Sequence, residues 1–396
     1  MNDTLQQLMR DASRLTRAGR LDEATETIRR ALRGKAQAAA AKTQVKADTA
    51  VKSGAVILDA SATVPGGNVF EVDTRDDDAT KAEFAAGETA HHEELQRPRQ
   101  STTRDEYVDS CTERGTGEFI SGIHKHASNT LRYKLYVPPK PAGRSLPLIV
   151  MLHGCGQDPD DFAAGTGMNE AAREQGFFVL YPEQSSSANA SRCWNWFQPE
   201  DQQRGGGEPA LIATMTRAMI TKRGIDPRRV YIAGLSAGGA MATIVAEAYP
   251  EIFAAVGVHS GLARGAASNM MEAFTVMTSG DTSRAEHVAG INMQVSVPTI
   301  VFHGDQDQTV HPRNGEQVIA AVLREAVGAK IERGVSPKGR HYTRSRHVDK
   351  KGKRLAEHWL VHGAGHAWSG GDVAGSFTDA SGPDATREML RFFFAQ

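Results

Sequence analysis

The sequence has few cysteines, few aromatic residues and almost no net charge, and each shortage argues against a class of protein. Three cysteines among 396 residues are too few for a disulfide-stapled scaffold, and they lack the paired C-x-x-C spacing of a zinc site. The 46 Lys and Arg residues balance 47 Asp and Glu residues to a net charge of −1, so we expect no nucleic acid as partner. No run of about 18 apolar residues occurs, which predicts no transmembrane segment.

The rest of the composition is ordinary for a protein with a sizeable core. Hydrophobic residues make up 40% of the chain and charged residues 23%, as in typical globular domains. A secretory signal peptide needs a continuous apolar stretch and a small-residue cleavage site. Charged residues instead interrupt the N-terminal sequence every few positions, so we expect a cytoplasmic protein.

The chain divides into three parts by composition. Residues 1–34 predict a helical hairpin, because apolar residues recur at helical spacing and Gly19 and Gly34 stand where C-caps would end the two helices. This hairpin either docks on the main domain or a partner, or acts as a self-association or targeting module. Residues 35–106 are an Ala/Lys-rich stretch followed by an acidic run with two aromatics, Phe70 and Phe84, which predicts a flexible acidic linker.

Residues 107–396 have the pattern of one globular α/β domain. Short runs that are apolar on both faces alternate with helical stretches, as do parallel strands buried between helix layers. Strands are predicted at 131–137, 146–152, 177–180, 230–233, 254–258 and 299–302, and helices at 160–175, 208–223, 237–248 and 314–325. This alternation predicts a doubly wound, mostly parallel sheet with right-handed crossovers.

The strongest chemical signal is the sequence GLSAGG at 234–239. It lies between a predicted strand and a predicted helix, which is the context that a G-x-S-x-G nucleophile elbow requires. Side chains at Gly234 and Gly238 would clash in so tight a turn. The pattern predicts that the hydroxyl of Ser236 is the nucleophile, presented at a helix N-terminus.

A serine nucleophile needs a general base and an acid that orients it, and in this fold they follow the serine in the order acid, then histidine. The loop after the strand at 299–302 offers Asp305 and Asp307, of which we assign Asp307, because it sits deeper in the loop. Asp305 is expected to bond the loop backbone. We assign the base to His366 in a Gly-rich loop, and expect His362 to be packed or hydrogen-bonded.

The oxyanion of the tetrahedral intermediate needs preorganised N–H donors. One should be the backbone N–H of Ala237, directly after the nucleophile. The other should come from the sequence LHGCGQ at 152–157, which is close to the HG-type oxyanion motif, and we assign the N–H of Cys155. We expect His153 to anchor this loop and place it among the substrate-contacting residues.

Two tryptophans lie close together in the sequence SRCWNWF at 191–197. On a loop after a strand, Trp194 and Trp196 would line the mouth of the site and bind the substrate. Packing in the core is the alternative. Cys193 could meet Cys155 across the site and form a disulfide, which a reducing cytoplasm would oppose.

These motifs together resemble the polyhydroxybutyrate (PHB) depolymerase family of esterases, over roughly residues 130–395. The resemblance rests on the following sequences: HGCGQ at 153–157, CWNWF at 193–197, GLSAGGAM at 234–241, HGDQD at 303–307, GHAWSGG at 365–371 and GPDATREMLRF at 382–392. It implies an α/β-hydrolase fold and the triad of Ser236, Asp307 and His366. Many members of that family look secreted, which makes an extracellular location the alternative.

The resemblance implies a serine carboxylic-ester hydrolase that cleaves hydroxyalkanoate polymers or oligomers and needs no cofactor or metal. Related members act on feruloyl or acetyl esters of plant polysaccharides, so a feruloyl or acetylxylan-type esterase is the alternative. A third hypothesis is an inactive scaffold that binds polymer granules. The hairpin and linker lie outside the family's catalytic core, and we expect them to tether the enzyme to a granule surface or to mediate self-association.

Overall fold

The computed structural model describes residues 115–127, 129–139, 145–280, 297–323 and 326–396. The predicted hairpin at 1–34, the predicted linker at 35–106 and the predicted domain boundary at 107 all lie outside these residues. The described ranges form the α/β unit that the sequence predicts after residue 107.

Ten strands of the described residues form one sheet in the order β1-β2-β4-β3-β5-β6-β7-β10-β9-β8. The strands are β1 (Glu118–His126), β2 (Asn129–Val137), β3 (Leu148–Leu152), β4 (Phe178–Glu183), β5 (Val230–Leu235), β6 (Ala255–His259), β7 (Thr299–Gly304), β8 (Gly328–Val335), β9 (His341–Val348) and β10 (Arg354–Val361). Neighbours from β4 to β10 pair in parallel, and the outer pairs are antiparallel. Two short strands, β11 (Trp368–Ser369) and β12 (Thr378–Asp379), form a separate ribbon.

Helices cover both faces of the sheet. They are α1 (Pro159–Thr166), α2 (Met168–Gln175), α3 (Gly207–Arg223), α4 (Ala237–Ala248), α5 (Met270–Ser279), α6 (Arg313–Val322) and α7 (Ala385–Phe393). Alternate residues of the central strands enter opposite layers: on β5, Ile232 packs with the layer that holds α3 and α4, and Tyr231 packs with the layer that holds α1, α2 and α7. The predicted doubly wound, mostly parallel sheet is confirmed.

The structure changes two details of the predicted elements. The single helix predicted at 160–175 is two helices, because Gly167 adopts a left-handed conformation with φ 62° and ends α1 where α2 begins. Strands β1, β8 and β9 were not predicted as strands, since their residues are exposed or half-buried and lack the continuous apolar runs of the central strands. No helix within the described ranges is long and apolar enough to cross a membrane.

The C-terminal helix is joined to the sheet by a buried ion pair. Glu357 on β10 is fully buried and pairs with Arg391 of α7 and with Arg354, whose side chains are about one third exposed. A buried carboxylate needs such partners to offset its lost hydration. This contact therefore fixes α7 against the edge of the parallel strands.

Replacement of this carboxylate should destabilise the fold. For Glu357→Ala we expect a loss of about 3 kcal/mol in the free energy of unfolding, because two partly buried guanidinium groups lose the one fully buried carboxylate that they share. The measurement is the urea midpoint of unfolding. Glu388→Ala removes a more exposed partner of Arg391 and should cost at most about 1 kcal/mol. Equal losses in the two variants would contradict the ion-pair explanation.

Candidate active site

The turn between β5 and α4 holds Ser236 in a strained backbone conformation, with φ 57° and ψ −121°. Glycine is required around it: a Cβ at Gly238 would lie 2.1 Å from the carbonyl oxygen of Leu152, and a Cβ at Gly234 would lie 2.3 Å from the carbonyl oxygen of Gly238. The backbone N–H of Ser236 donates to the carbonyl of His259 at 2.8 Å. The sequence GLSAGG thus forms the sharp strand-to-helix turn of a nucleophile elbow.

The catalytic acid and base predicted from the sequence lie together. Nδ1 of His366 donates to Oδ2 of Asp307 at 2.7 Å. Oδ1 of Asp307 accepts the backbone N–H groups of Thr309 and Val310 at 2.9 and 2.8 Å. Burial alone would raise the pKa of Asp307, but the charge of His366 and the hydrogen bonds from the two neighbouring histidines hold that pKa well below its usual range. Asp307 is therefore ionised and can orient His366 and stabilise its imidazolium form.

Asp305, the competing acid, is bound elsewhere. Its Oδ1 accepts the backbone N–H of Gly363 at 2.7 Å, and its Oδ2 accepts from Nδ1 of His362 at 2.9 Å. Nε2 of His362 lies 2.9 Å from the hydroxyl of Thr343. This second Asp–His pair joins the loop after β7 to the loop after β10. The hydrogen-bonded role predicted for His362 is observed. Asp305 does not bond the backbone of its own loop as predicted, because that backbone is bonded by Asp307, and Asp305 bonds the loop after β10 instead.

The order of the strands explains how these residues meet. Ser236, Asp307 and His366 follow β5, β7 and β10, three parallel strands whose carboxyl ends share one edge of the sheet. Within the described residues, no hydrogen bond joins His366 to Ser236. The bond between a nucleophile and its base often tightens only when substrate binds.

In the loop after β3, the backbone N–H of Cys155 is free to bind an oxyanion. The N–H of Gly154 donates to the side chain of Gln157 at 2.9 Å, that of Gly156 to the carbonyl of Ser191 at 2.8 Å, and that of Gln157 to the carbonyl of Gly154 at 3.3 Å. The N–H of Cys155 has no such partner among the described residues. Together with the unpaired N–H of Ala237 at the first position of α4, it matches the predicted oxyanion donors.

A disulfide bond joins Cys155 to Cys193, which answers a question that the sequence left open. The bond attaches the backbone that carries the free N–H to the loop at 184–198. The same loop holds the neighbouring backbone through the bond between Gly156 and Ser191. On the other side, the side chain of Gln157 donates to Asp161 at 2.9 Å. The oxyanion loop is thus fixed from both sides.

His153 anchors this loop, as predicted. Its Nδ1 donates to the carbonyl of Gly154 at 2.8 Å, and its Nε2 accepts the backbone N–H of Gln184 at 3.1 Å. The side chain is buried, and burial lowers its pKa to about 4. Both ring nitrogens are occupied within the protein, so contact with the substrate stays a prediction that this geometry does not support.

The two tryptophans are packed inside the protein. Trp194 is fully buried and its Nε1 donates to the carbonyl of His153 at 3.0 Å. Trp196 is 4% exposed and packs edge-on against Phe197. The packing alternative fits these positions, and substrate contact by the tryptophans stays a prediction without support from this arrangement. Trp194 instead supports the backbone of the oxyanion loop.

Three further buried groups lie near the site. The sequence predicts a structural role for His303 and assigns none to Glu208 or His259. His303 donates from Nε2 to the carbonyl of Val310 at 2.8 Å and lies 3.5 Å from Oδ2 of Asp307.

The carboxylate of Glu208 accepts hydrogen bonds from Gln184 and from both the side chain and the backbone of Asn195, and burial raises its pKa to about 7. His259 contacts both the elbow and the loop of His366. A polar residue at the end of an apolar strand was the one signal that could have pointed to His259 and His303.

The described residues contain no group of three or more His, Cys, Asp or Glu side chains that could hold a metal ion. The residues gathered at this edge of the sheet are instead a hydroxyl, an imidazole, a carboxylate and two free backbone donors. That set can perform nucleophilic acyl transfer.

The fold and the site define the class of protein: this is an α/β hydrolase with a serine nucleophile elbow. Residues 131–334, just over half of the chain, match the family model described as "Esterase PHB depolymerase", and the chain belongs to this family. The poly(3-hydroxyalkanoate) depolymerase C of Paucimonas lemoignei is 34% identical over 211 residues, which cover 50% of this chain and 49% of the depolymerase. The chain thus matches about half the length of that relative.

Two further proteins extend the comparison. Feruloyl esterase B of Neurospora crassa is 30% identical over 219 residues, which cover 52% of this chain and 73% of the esterase. The solved structure of an acetyl xylan esterase from Aspergillus awamori has a TM-score of 0.53 and 20% identity, covering 67% of this chain and 94% of the esterase. This last likeness shows a shared fold.

Substitution of the two loop aspartates should separate their roles. Asp307→Asn should lower kcat by about 10⁴-fold, because an amide can stabilise the wrong tautomer of His366. Asp305→Asn is the matched control two residues away and should keep kcat within about tenfold, since it is bonded to His362 and not to His366. The measurement is steady-state hydrolysis of p-nitrophenyl acetate. A larger loss in Asp305→Asn would reverse the assignment.

Removal of the disulfide should weaken the oxyanion site. For the double variant Cys155→Ser, Cys193→Ser we expect kcat to fall by about 10- to 100-fold with a small change in KM, because a misplaced donor loses part of its transition-state stabilisation. Treatment of the wild type with dithiothreitol should have the same effect. Cys111→Ser, which leaves this bond intact, is the control. Unchanged kcat in the double variant would show that the loop holds its shape without the disulfide.

The neutral state of His153 should appear in the pH dependence of stability. The pKa of a histidine is near 6.5 in the unfolded chain, and burial lowers the pKa of His153 to about 4 in the folded protein, so the unfolded chain binds the proton first as pH falls. The stabilisation that is present above pH 6.5 is therefore lost toward pH 4, by about 3 kcal/mol. The free energy of unfolding of the wild type, minus that of His153→Gln, should fall over this range. A difference independent of pH would contradict the buried neutral imidazole.

Proposed function

We propose that the protein is a serine carboxylic-ester hydrolase that cleaves hydroxyalkanoate esters through an acyl-enzyme. The observation that carries this proposal is the convergence of Ser236 in a strained elbow, the His366–Asp307 pair and the free N–H of Cys155 at one edge of the sheet. Each part corresponds to one requirement of acyl transfer: a nucleophile, an oriented base and a place for negative charge.

In the first half of the reaction, Oγ of Ser236 attacks the ester carbonyl carbon while Nε2 of His366 takes the hydroxyl proton. Asp307 keeps the other ring nitrogen protonated and stabilises the imidazolium. The carbonyl oxygen becomes an oxyanion, held by the N–H groups of Cys155 and Ala237. The bond to the leaving alcohol then breaks, and His366 returns the proton to that alcohol.

In the second half, water attacks the acyl carbon as His366 takes one of its protons. The same two N–H groups hold the second oxyanion. The bond to Oγ breaks, and the proton on His366 passes back to Ser236 as the carboxylic acid leaves. The positive end of α4 faces the oxyanion in both steps and adds to its stabilisation.

The choice of hydroxyalkanoate ester rests on the comparisons. The matching family model is described as "Esterase PHB depolymerase". The depolymerase of Paucimonas lemoignei is also more similar in sequence to this chain than the feruloyl esterase of Neurospora crassa is. The feruloyl esterase nevertheless matches over a similar length, which makes a feruloyl or acetylxylan-type esterase the second candidate. The inactive scaffold is disfavoured, because such a protein has no need of an ionised Asp307 bonded to His366.

The disulfide bond indicates the compartment in which the protein works. A bond between Cys155 and Cys193 persists in an oxidising compartment, so we favour the extracellular alternative over the predicted cytoplasm.

Binding to a polymer granule and self-association through residues 1–34 stay proposals. Their test is deletion of residues 1–100 followed by granule sedimentation and light scattering: unchanged binding and oligomeric state would remove this role of the N-terminal segment.

A panel of esters tests the proposed reaction directly. Purified wild type and Ser236→Ala are compared on p-nitrophenyl butyrate, 3-hydroxybutyrate oligomers, amorphous polyhydroxybutyrate and methyl ferulate. We expect release of hydroxybutyrate by the wild type and a loss of at least about 10⁴-fold in Ser236→Ala. Turnover of methyl ferulate alone would keep the mechanism and favour the second candidate. Equal turnover by the two proteins would contradict Ser236 as the nucleophile.

A further inference from the structure

We infer that His259 is a positioning residue that fixes the nucleophile relative to the general base. The inference rests on the proposed acyl-transfer function of Ser236 and His366. His259 ends β6, the strand that lies between the strand before Ser236 and the strand before Asp307. From this position it makes hydrogen bonds to both the elbow and the loop of the base.

The backbone of His259 holds the elbow. Its carbonyl accepts the N–H of Ser236 at 2.8 Å. A Cβ at Gly239, on the first turn of α4, would approach the same carbonyl to 3.2 Å. The nucleophile and the start of its helix are thus packed directly on the main chain of His259.

The imidazole of His259 holds the loop of the base. Its Nε2 accepts the backbone N–H of Ser369 at 2.9 Å, three residues after His366. Because that nitrogen accepts, the neutral ring carries its proton on Nδ1, which donates to the hydroxyl of Ser260 at 3.2 Å. Ser260 in turn donates its backbone N–H to the carbonyl of Phe302 on β7. The side chain therefore joins the ends of β6 and β7 to the segment that follows His366.

The ring is held in a fixed orientation. It is 1% exposed and stacks on Trp368, with ring centroids 5.1 Å apart, and on Phe302 at 5.8 Å. Burial and the charges of His303 and His366 oppose its protonation, while the charge of Asp307 favours it, and the pKa is lowered to about 3. The imidazole thus acts as a neutral acceptor throughout the pH range in which His366 works as a base.

A residue that is bonded to the backbone of the nucleophile and to the loop that carries the general base controls the separation of these two groups. A misplacement of about 1 Å between reacting groups can cost about 100-fold in rate. Without an acceptor at position 259, the buried N–H of Ser369 would have to find another partner, which moves the loop that carries His366. The expected signature is a loss in kcat at nearly constant KM, because substrate contacts are unchanged.

The test compares His259→Phe, which keeps a flat ring but no acceptor, with His259→Gln, whose amide oxygen can take the place of Nε2. Hydrolysis of p-nitrophenyl acetate and the rate of Ser236 labelling by a fluorophosphonate are measured, with kcat expressed per labelled serine. We expect His259→Phe to lower kcat and the labelling rate by about 10- to 100-fold, with KM within about threefold. His259→Gln should stay within about fivefold of the wild type.

A control separates positioning from folding. His358 on β10 also has a pKa lowered to about 4 by burial, but its Nε2 has no hydrogen-bond partner within the described residues. His358→Phe should keep wild-type kcat and labelling rate. Should His259→Phe fail to fold, His259→Leu and the Gln variant carry the same comparison. The inference is overturned if a folded variant without the acceptor keeps kcat within threefold, or if His259→Gln loses as much as His259→Phe.

The same assay distinguishes a failure of the positioning role of His259 from a failure of the proposed function. Ser236→Ala serves as the inactive reference on the same activated ester. Turnover that is independent of Ser236 would contradict the proposed function. Turnover that depends on Ser236 but is insensitive to the acceptor at position 259 would contradict the positioning role alone.

Discussion

The rest of the site depends on the strained backbone at Ser236. A side chain held at positive φ costs about 1–3 kcal/mol and persists only where its surroundings determine it. Here the surroundings are the carbonyl of Leu152 against Gly238 and the carbonyl of His259 against the N–H of Ser236. The first belongs to the strand before the oxyanion loop, and the second to the strand that reaches the loop of the base. One turn therefore sets the positions of the nucleophile, the oxyanion donors and the base.

Behind the site, buried polar groups hold the loops that the strands alone do not fix. His153 and Glu208 both bond Gln184, which ties the oxyanion loop to the loop that carries Cys193. His259 does the equivalent for the loop of His366. Every such group is buried and bonded to backbone or amide partners, as buried polar groups must be if they are not to destabilise the fold. The apolar sheet provides the frame, and these groups set the distances within it.

The sequence predicted the central fold because buried parallel strands leave a strong signal: β3, β5 and β7 are continuous apolar runs, and the elbow has a fixed glycine pattern. Strands β8 and β9 leave a weaker signal, since β8 is mostly exposed, β9 is half-buried, and neither is a continuous apolar run. Local pattern also predicted the candidate triad of Ser236, Asp307 and His366. The role of His259 could not be read in the same way, because it depends on Ser369, a partner far along the chain that only the fold brings near. Aromatic residues in a loop were equally ambiguous, and Trp194 proved to be a support for the loop backbone.

The most direct test of the mechanism is detection of the acyl-enzyme. The protein is mixed with p-nitrophenyl acetate, quenched in acid within the first turnovers, digested and analysed by mass spectrometry. We expect one acetyl group on the peptide that contains Ser236, formed at the rate of the p-nitrophenol burst and absent from Ser236→Ala. Hydrolysis at the same rate with no acetyl group on Ser236, or with the group on another residue, would contradict the central claim that Ser236 is the nucleophile.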